Sequence, residues 1–408
     1  MRVENVYAQK VNKTLSKLKD LGKYGSKWRF SSKSWCFPIK RDDWKVIREE
    51  FSKVQVAVTN RCNFPCKVCY SCSSPNDFSL EMNKKTFIRI LRKIGRNKRV
   101  ILIGGEPTIR EDIFELVDLI RKSGNFPEIY TNGVRLSDFS FCEELVKRGV
   151  RRFYLSFDGF DKNYYEIMNG SKEVLFHKLL ALKNLMKLNV SIVLSSRIIK
   201  GLNESEVKRI IDFCVRARKN GKNIFGAYFY GATEYGRFEI DNAKVTLLHL
   251  SELVEKATQG VASLDYFIEF KKFLLLLHRT GRKLGIGLPF GSGGLIAPFQ
   301  AGSVRRIIDI EELRKMNSEL ERGRYIQLLR LMKKIRYLKN LINPFNFIFG
   351  FRFEYLPLPS LLFFVGIGNV HTPLNFNPSF TDVVELFEIK GKRPIFVRIF
   401  DYGGVESV

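Results

Sequence analysis

The chain has 408 residues, 45% of them apolar, and its 69 Lys and Arg outnumber 42 Asp and Glu for a formal charge of +27. That apolar content excludes a disordered or fibrous protein and allows one barrel-sized domain with appendages or two domains. The positive excess favours polyanionic partners such as RNA, an anionic membrane surface or a phosphorylated substrate, although a Lys-rich solvated surface produces the same count.

The first residues, "MRVENVYAQKVNK", lack the apolar run of a secretory signal. The greasiest stretch, Leu356 to Gly368, is shorter than the roughly 18 apolar residues that cross a bilayer. The expectation is a cytoplasmic protein, soluble or peripheral to the membrane. Seven cysteines, four clustered and the others scattered at Cys36, Cys142 and Cys214, fit a reducing compartment and a metal or cofactor site better than a disulfide framework.

Residues 1–51 are basic, carry Trp28, Trp35 and Trp44 without a clear period, and read as an N-terminal arm or cap. From 52 to 235, short β-branched or aromatic runs alternate with segments of helical period. Strands are predicted at "KVQVAVT" (53–59), "RVILIG" (99–104), "EIYTN" (128–132), "RRFYLSF" (151–157), "VSIVLSSRII" (190–199) and "IFGAYFYG" (224–231). Helices are predicted at 83–94, 111–122, 139–147, 174–188 and 204–218. This alternation predicts an α/β fold of six parallel strands with crossover helices, either an open doubly wound sheet or a complete or partial barrel.

Chemistry in such folds belongs at the C-terminal strand ends. "TNRCNFPC" follows the first strand, "GGEPT" the second, "TNG" the third and "SFDG" the fourth, so the motifs share one rim. Chain turning explains any one of these glycines. It is a weak explanation for four motifs in succession beside a cysteine cluster.

Residues 236–408 read as a basic, mostly helical C-terminal region for substrate binding or capping. In "SELERGRYIQLLRLMKKIRYLKNLINP" (318–344), Tyr325, Leu328, Leu329, Met332, Ile335 and Leu338 recur at helical spacing opposite Arg330, Lys333, Lys334 and Lys339. A surface helix packed on its own core and a basic helix lying on an anionic membrane both have this pattern. The segment 343–371 is dense in Phe, as plain core or as the wall of a channel for a long apolar substrate. The histidines His177, His249, His278 and His371 are too dispersed to argue as metal ligands.

"VTNRCNFPCKVCYSCSS" (58–74) holds Cys62, Cys66, Cys69 and Cys72. Structural zinc sites built from two Cys pairs usually place roughly a dozen residues between the pairs, and here all four lie in one loop. A ferredoxin-type cluster places its two-residue gaps before the three-residue gap, the reverse of this order. A third possibility is that Cys62, Cys66 and Cys69 hold three irons of a four-iron four-sulfur cluster and the fourth iron is left open to a small molecule, as catalytic metal sites do.

CxxxCxxC after the first strand of a βα array, followed by "GGEP", "TNG" and "SFDG", resembles the radical S-adenosylmethionine (SAM) superfamily. The resemblance implies a partial (β/α)6 barrel with a mostly helical C-terminal extension. It also implies one four-iron four-sulfur cluster on Cys62, Cys66 and Cys69. In that family the open iron chelates the amino and carboxylate groups of SAM, and an electron from a donor such as a ferredoxin or flavodoxin cleaves the sulfonium to a deoxyadenosyl radical. Carried over by position, Gly104, Gly105 and Glu106 resemble the turn that receives the methionine amino group, with Glu106 as counter-charge. Ser156, Asp158 and Asn132 occupy positions that contact ribose or carboxylate. Arg197 reads either as a carboxylate partner or as a structural ion pair. The family prefers an aromatic residue where Val68 stands; Phe64 and Tyr70 are nearby. Cys72 is left over, read as a buried thiol on the first helix.

Beyond the core, "GSGGLIAPFQ", "RRIIDIEEL" and "IGNVHTPLNFNPSFTDV" are similar to the archaeal tetraether synthase group, without that group's additional cysteine-ligated metal sites, since no cysteine follows Cys214. The function implied is hydrogen abstraction from an unactivated C–H bond, on a membrane lipid chain, with a peptide or RNA as the alternative substrate. The rival from another class is a non-catalytic iron–sulfur or zinc protein that binds nucleic acid through its basic surface.

Overall fold

The computed structural model describes residues 36–283, 295–300, 302–334, 362–369, 383–388 and 395–400, with short helical stretches before residue 22. Trp28, Trp35, Ile335, Leu338, Lys339, His371 and most of the Phe-dense segment lie outside the described residues.

The strands are β1 (Cys36–Pro38), β2 (Lys53–Thr59), β3 (Val68–Cys69), β4 (Arg99–Gly104), β5 (Phe126–Thr131), β6 (Arg152–Ser156), β7 (Ser191–Ile198), β8 (Ile224–Gly231), β9 (Arg237–Phe238), β10 (Leu295–Gln300), β11 (Leu362–Asn369), β12 (Val383–Glu388) and β13 (Ile395–Phe400). The helices are α1 (Arg41–Glu50), α2 (Lys84–Ile94), α3 (Ile113–Lys122), α4 (Phe139–Lys147), α5 (Lys162–Asn169), α6 (Glu173–Lys187), α7 (Glu206–Lys219), α8 (Leu247–Ala257), α9 (Leu264–Lys283), α10 (Ile310–Glu321) and α11 (Tyr325–Lys334).

The predicted strands form the centre of one sheet in the order β2-β4-β5-β6-β7-β8, all parallel, and the predicted helices cross over between them. Local chemistry starts these helices where the sequence places them. Asn83 accepts from the Thr86 amide at the head of α2, and Asp138 accepts from Ser140 and Phe141 at the head of α4. Among the described residues the sheet is open, with β1 and β10 at its edges, and the helices pack on one of its faces, as in a partial barrel.

The C-terminal region is helical through α8, α9, α10 and α11, and it also adds strands that the periodicity did not predict. β11 pairs parallel with β8, β10 pairs antiparallel with β11, and β12 pairs parallel with β2. β13 pairs antiparallel with β12 and carries β1, so the N-terminal arm ends in the sheet. Trp44 on α1 is buried in the main core. The described part of the predicted amphipathic stripe, Tyr325 to Met332, lies on α11, which is separated from α10 by Gly323 at φ +69. On α11 Leu328 and Met332 are buried while Ile326 and Leu329 are exposed. Among the described residues no helix is long and apolar enough to cross a membrane.

Strand alternation divides the sheet into two faces. Val54, Val56, Val58, Val100, Leu102, Ile129, Phe153, Leu155, Ile192 and Leu194 join the helices in the main apolar core. The opposite, concave face carries a smaller cluster of Ala57, Ile101, Ile103 and Phe387, packed by Tyr130 and Tyr154. Toward the strand starts it carries a buried ion pair: Arg99 Nε and Nη2 donate to Glu128 at 2.7 and 2.6 Å, and Nη2 also reaches the Tyr154 hydroxyl at 2.7 Å. A fork-to-carboxylate pair in this low-dielectric setting ties β4, β5 and β6 together.

Glu128→Ala removes both carboxylate bonds to the buried Arg99 and is expected to cost about 3–5 kcal/mol of stability. Urea denaturation would measure this, and a loss below about 1 kcal/mol, the scale of an exposed pair, would show that the pair does not hold the strands.

Candidate active site

The chain leaves β2 through a register shift between Ala57 and Thr59 and enters the cysteine loop. No helix forms there, so the loop's backbone groups find partners elsewhere. Cys62 N–H donates to Ser74 O at 3.0 Å, Lys67 N–H to Met168 O at 3.2 Å, and the Lys67 carbonyl accepts from Glu239 N–H at 2.9 Å. β3, within the loop, pairs antiparallel with β9. From β9 the Arg237 guanidinium donates to the carbonyls of Cys66, Cys72 and Ser73 at 2.8–3.1 Å. Gly236, at φ +71, lets β9 come this close: a Cβ there would lie 2.4 Å from the Cys69 carbonyl oxygen. Val68 anchors the loop in an apolar cluster with Tyr164, Tyr165, Met168, Ile199 and Ala232.

The "GGE" turn after β4 packs backbone to backbone on the start of this loop. Gly105 N–H donates to Thr59 O and Glu106 N–H to Arg61 O, both at 2.9 Å. A Cβ on Gly104 would meet the Thr59 oxygen at 2.0 Å, and one on Gly105 the Arg61 oxygen at 2.3 Å. Glu106 is fully buried and lies outside the cavity lining. Its Oε1 accepts from Thr108 N–H (3.1 Å), Thr108 Oγ1 (2.6 Å) and Thr131 Oγ1 (2.7 Å), and its Oε2 accepts from Asn132 N–H (2.6 Å). Burial raises its carboxyl against these hydrogen bonds. In this geometry Glu106 joins the second and third rim motifs to each other, and its carboxylate is not among the groups that line the cavity.

One cavity of about 190 Å³ opens between loop and rim. Cys62, Cys66 and Cys69 line it, together with Gly104, Gly105, Asn132, Ser156, Asp158 and Arg197. All the rim residues expected from the sequence except Glu106 therefore meet at one place, with Phe64, Val68 and Tyr70 beside them. Each thiol has a polar neighbour: Asn169 Nδ2 donates to Cys66 Sγ at 3.0 Å, Asn132 Nδ2 to Cys62 Sγ at 3.9 Å, and Ser71 Oγ lies 3.4 Å from Cys69 Sγ. Burial, then the Glu106 charge, pushes the Cys62 thiol up to about 12, and burial raises Cys66 as well. Cys69 differs: burial opposes its ionisation, but Arg197 and hydrogen bonds from Ser71 and Ser73 outweigh this and bring it below the ordinary thiol value. Cys72 is exposed, sits in the loop at φ +53 and is absent from the lining, which corrects the reading of it as a buried helical thiol.

Two buried cations line the same cavity as the thiols. Arg197 is held by its backbone N–H, which donates to Asp158 Oδ1 at 2.6 Å, and its guanidinium donates to the Val68 carbonyl of the loop. Both alternatives read for Arg197 thus apply to one side chain: it is tied into the structure and it borders the cavity. Burial works against its charge, but Asp158 and neighbouring groups hold it above the ordinary arginine value. Lys178 on α6 is 3% exposed, and its ammonium donates to the carbonyls of Asn132 (2.9 Å) and Ser156 (2.6 Å). Burial lowers its pKa, partly offset by Asp158 and the thiols.

Sequence reasoning missed Lys178, Asn169, Arg237 and Gly236. A signal for Lys178 existed: it stands on the buried stripe Val174, Ala181, Leu182 and Leu185, where a lysine needs a reason. Arg237, Asn169 and Gly236 act on segments far away in sequence and leave no local mark.

The donor set fits an iron–sulfur cluster with a small-molecule ligand. Three soft thiolates take one iron each, and metal binding deprotonates even a thiol raised by burial. The buried cations suit the negative charge that such a cluster and a carboxylate bring. Among the described residues no group of three His, Cys, Asp or Glu is set to clasp a single ion.

Comparison with known proteins agrees. The radical SAM superfamily matches residues 56–214. A 7,8-dihydro-6-hydroxymethylpterin dimethyltransferase of Methanocaldococcus jannaschii is 29% identical over 214 residues, covering 50% of this chain and 42% of the relative. A probable GTP 3',8-cyclase of Pyrococcus abyssi is 30% identical over 164 residues, covering 40% of this chain and 52% of the relative. The chain thus spans about half the length of these curated relatives. The crystal structure of Streptococcus suis SuiB bound to S-adenosylmethionine aligns with a TM-score of 0.43 at 21% identity, over 52% of this chain and 48% of that one. Residues 56–214 thus form a radical SAM superfamily domain, the domain of enzymes that use a four-iron four-sulfur cluster and S-adenosylmethionine.

Proposed function

We propose that this protein cleaves SAM reductively at a cluster on Cys62, Cys66 and Cys69 and uses the product to take hydrogen from a C–H bond of a small polar substrate. The observation that carries this reading is the convergence of three thiols, the rim motifs and two buried cations on one cavity. When bound, the cluster and SAM supply one-electron cleavage of the sulfonium and hence a deoxyadenosyl radical. An electron donor of the ferredoxin or flavodoxin kind completes the reaction.

The residues of the chain position and shield. Lys178 and Arg197 offer charge-assisted donors for the SAM carboxylate, while Asp158, Ser156 and Asn132 offer partners for its polar edges. Phe64, Val68, Tyr70 and Met168 line the thiol side and keep water from it. The Asn169 amide and the Ser71 hydroxyl stabilise the more negative, reduced cluster by bonding the thiolates, which raises its potential. The region 236–408 is proposed to cap the substrate side.

The polar wall of the cavity, with Gln55, Tyr130, Ser195 and Tyr230, supports a polar substrate. The names of the two relatives, which refer to a pterin and to GTP, point the same way. The lipid-chain reading and its resemblance to tetraether synthases gain no support from these comparisons, and the Phe-dense segment behind that reading lies mostly outside the described residues. No described feature favours RNA or a peptide. The exposure of Cys72 speaks for an open three-thiol site over the closed four-cysteine site of a non-catalytic protein.

Anaerobic reconstitution should give about four irons per chain, and reduction with SAM should release deoxyadenosine. Cys62→Ala should abolish both, and Cys72→Ser should leave both in place. A formed cluster without deoxyadenosine refutes the reading. Lys178→Met should raise the Kd for SAM about tenfold or more in equilibrium dialysis, and an unchanged Kd removes Lys178 from this role. Asn169→Ala should lower the midpoint potential by on the order of 50 mV in a redox titration, and no shift would show that its amide leaves the cluster unaffected.

A further inference from the structure

Next to the thiols, the barrel interior changes character from one side to the other. On β2 and β4 the concave face carries Ala57, Ile101 and Ile103, with Gln55 on β2 and Arg99 at the start of β4. On β5, β6 and β8 it carries Tyr130, Tyr154, Tyr228 and Tyr230, each neither fully buried nor fully exposed. Tyr130 and Tyr154 stack nearly parallel at 5.2 Å, and Tyr228 and Tyr230 stack at 6.4 Å. The strand register sets Gly366 beside Tyr228 and Gly368 beside Tyr230, so β11 offers no side chain at either place. Tyr154 is tied to Arg99, and the Tyr130 hydroxyl bonds Ser195 and meets Tyr230. Gln55, Tyr130, Ser195 and Tyr230 reach the cavity itself.

A barrel interior built only for packing is filled with branched aliphatic side chains. Of the four tyrosines, Tyr130 and Tyr230 line the cavity, beside Gln55 and Ser195. The Tyr130 hydroxyl is already paired with Ser195 and Tyr230, so the polar group that an alkyl chain would desolvate without compensation here is the Gln55 amide. A flat conjugated ring with polar edge atoms suits this lining: its face packs on the tyrosines and its edge bonds the amide.

We propose that the substrate of this site is a flat, polar heteroaromatic ring held in the barrel interior against Tyr130 and Tyr230, with its edge bonded by Gln55 and Ser195. The proposal rests on the reading that the thiol end of the same cavity holds the cluster and SAM.

The test uses reconstituted protein with SAM under anaerobic conditions and three probes in calorimetric titrations: GTP, 6-hydroxymethyl-7,8-dihydropterin and palmitate. One of the two ring compounds is expected to bind, and Gln55→Leu or Tyr230→Phe to weaken that binding about tenfold, with iron content and melting temperature kept as evidence of folding. Binding of palmitate in place of both rings overturns the proposal, as does ring binding that neither substitution changes. If the wild-type protein releases deoxyadenosine but binds neither ring, the ring proposal fails and the reading of the cofactor end stands. If it forms a cluster but no deoxyadenosine, that underlying reading fails, and the ring proposal with it.

Discussion

Three thiols must be presented to one cavity from a loop with no hydrogen-bond ladder of its own beyond two strand residues. Unpaired backbone groups there would cost as much as lost hydrogen bonds, so the surrounding structure answers them. Arg237 takes three carbonyls, Arg197 takes the carbonyl of Val68, and the "GGE" turn takes the carbonyls of Thr59 and Arg61. These clamps come from strands at both sides of the barrel. The position of the thiols is thus a property of the whole sheet, and the loop is their carrier.

Charge follows the same logic. Among the described residues two cations, Lys178 and Arg197, are buried against the thiols. In a low-dielectric cavity those two count for more than the screened remainder. Glu106 supplies the opposing charge beneath the floor, where four hydrogen bonds hold it and join two rim motifs. An acidic residue in a cofactor motif here serves the geometry of the motif.

The parallel core was legible because its signals are local. "KVQVAVT", "RVILIG" and "IFGAYFYG" are β2, β4 and β8 residue for residue, and Asn83 and Asp138 cap the helices they precede. The added strands β10 to β13 were not legible, since short apolar runs pair according to distant partners and carry no period of their own. The amphipathic stripe read from Tyr325 onward was legible as far as the described residues go, since α11 carries it from Tyr325 to Met332. Cys72 stands three residues after Cys69, and its spacing gave no hint that the loop turns it outward.

What the sequence determined alone is the type of chemistry: CxxxCxxC with the rim motifs after successive strands specifies ligand identity and order, and both are properties of the covalent chain. Tertiary structure decided which groups accompany those ligands. Asn169 reaches the Cys66 thiol from 103 positions away and Arg237 reaches the Cys66 carbonyl from 171. Hydrogen bonds and burial depend on distance in space, and only the closed packing of sheet, helices and loop turns such separations in sequence into contacts of about 3 Å.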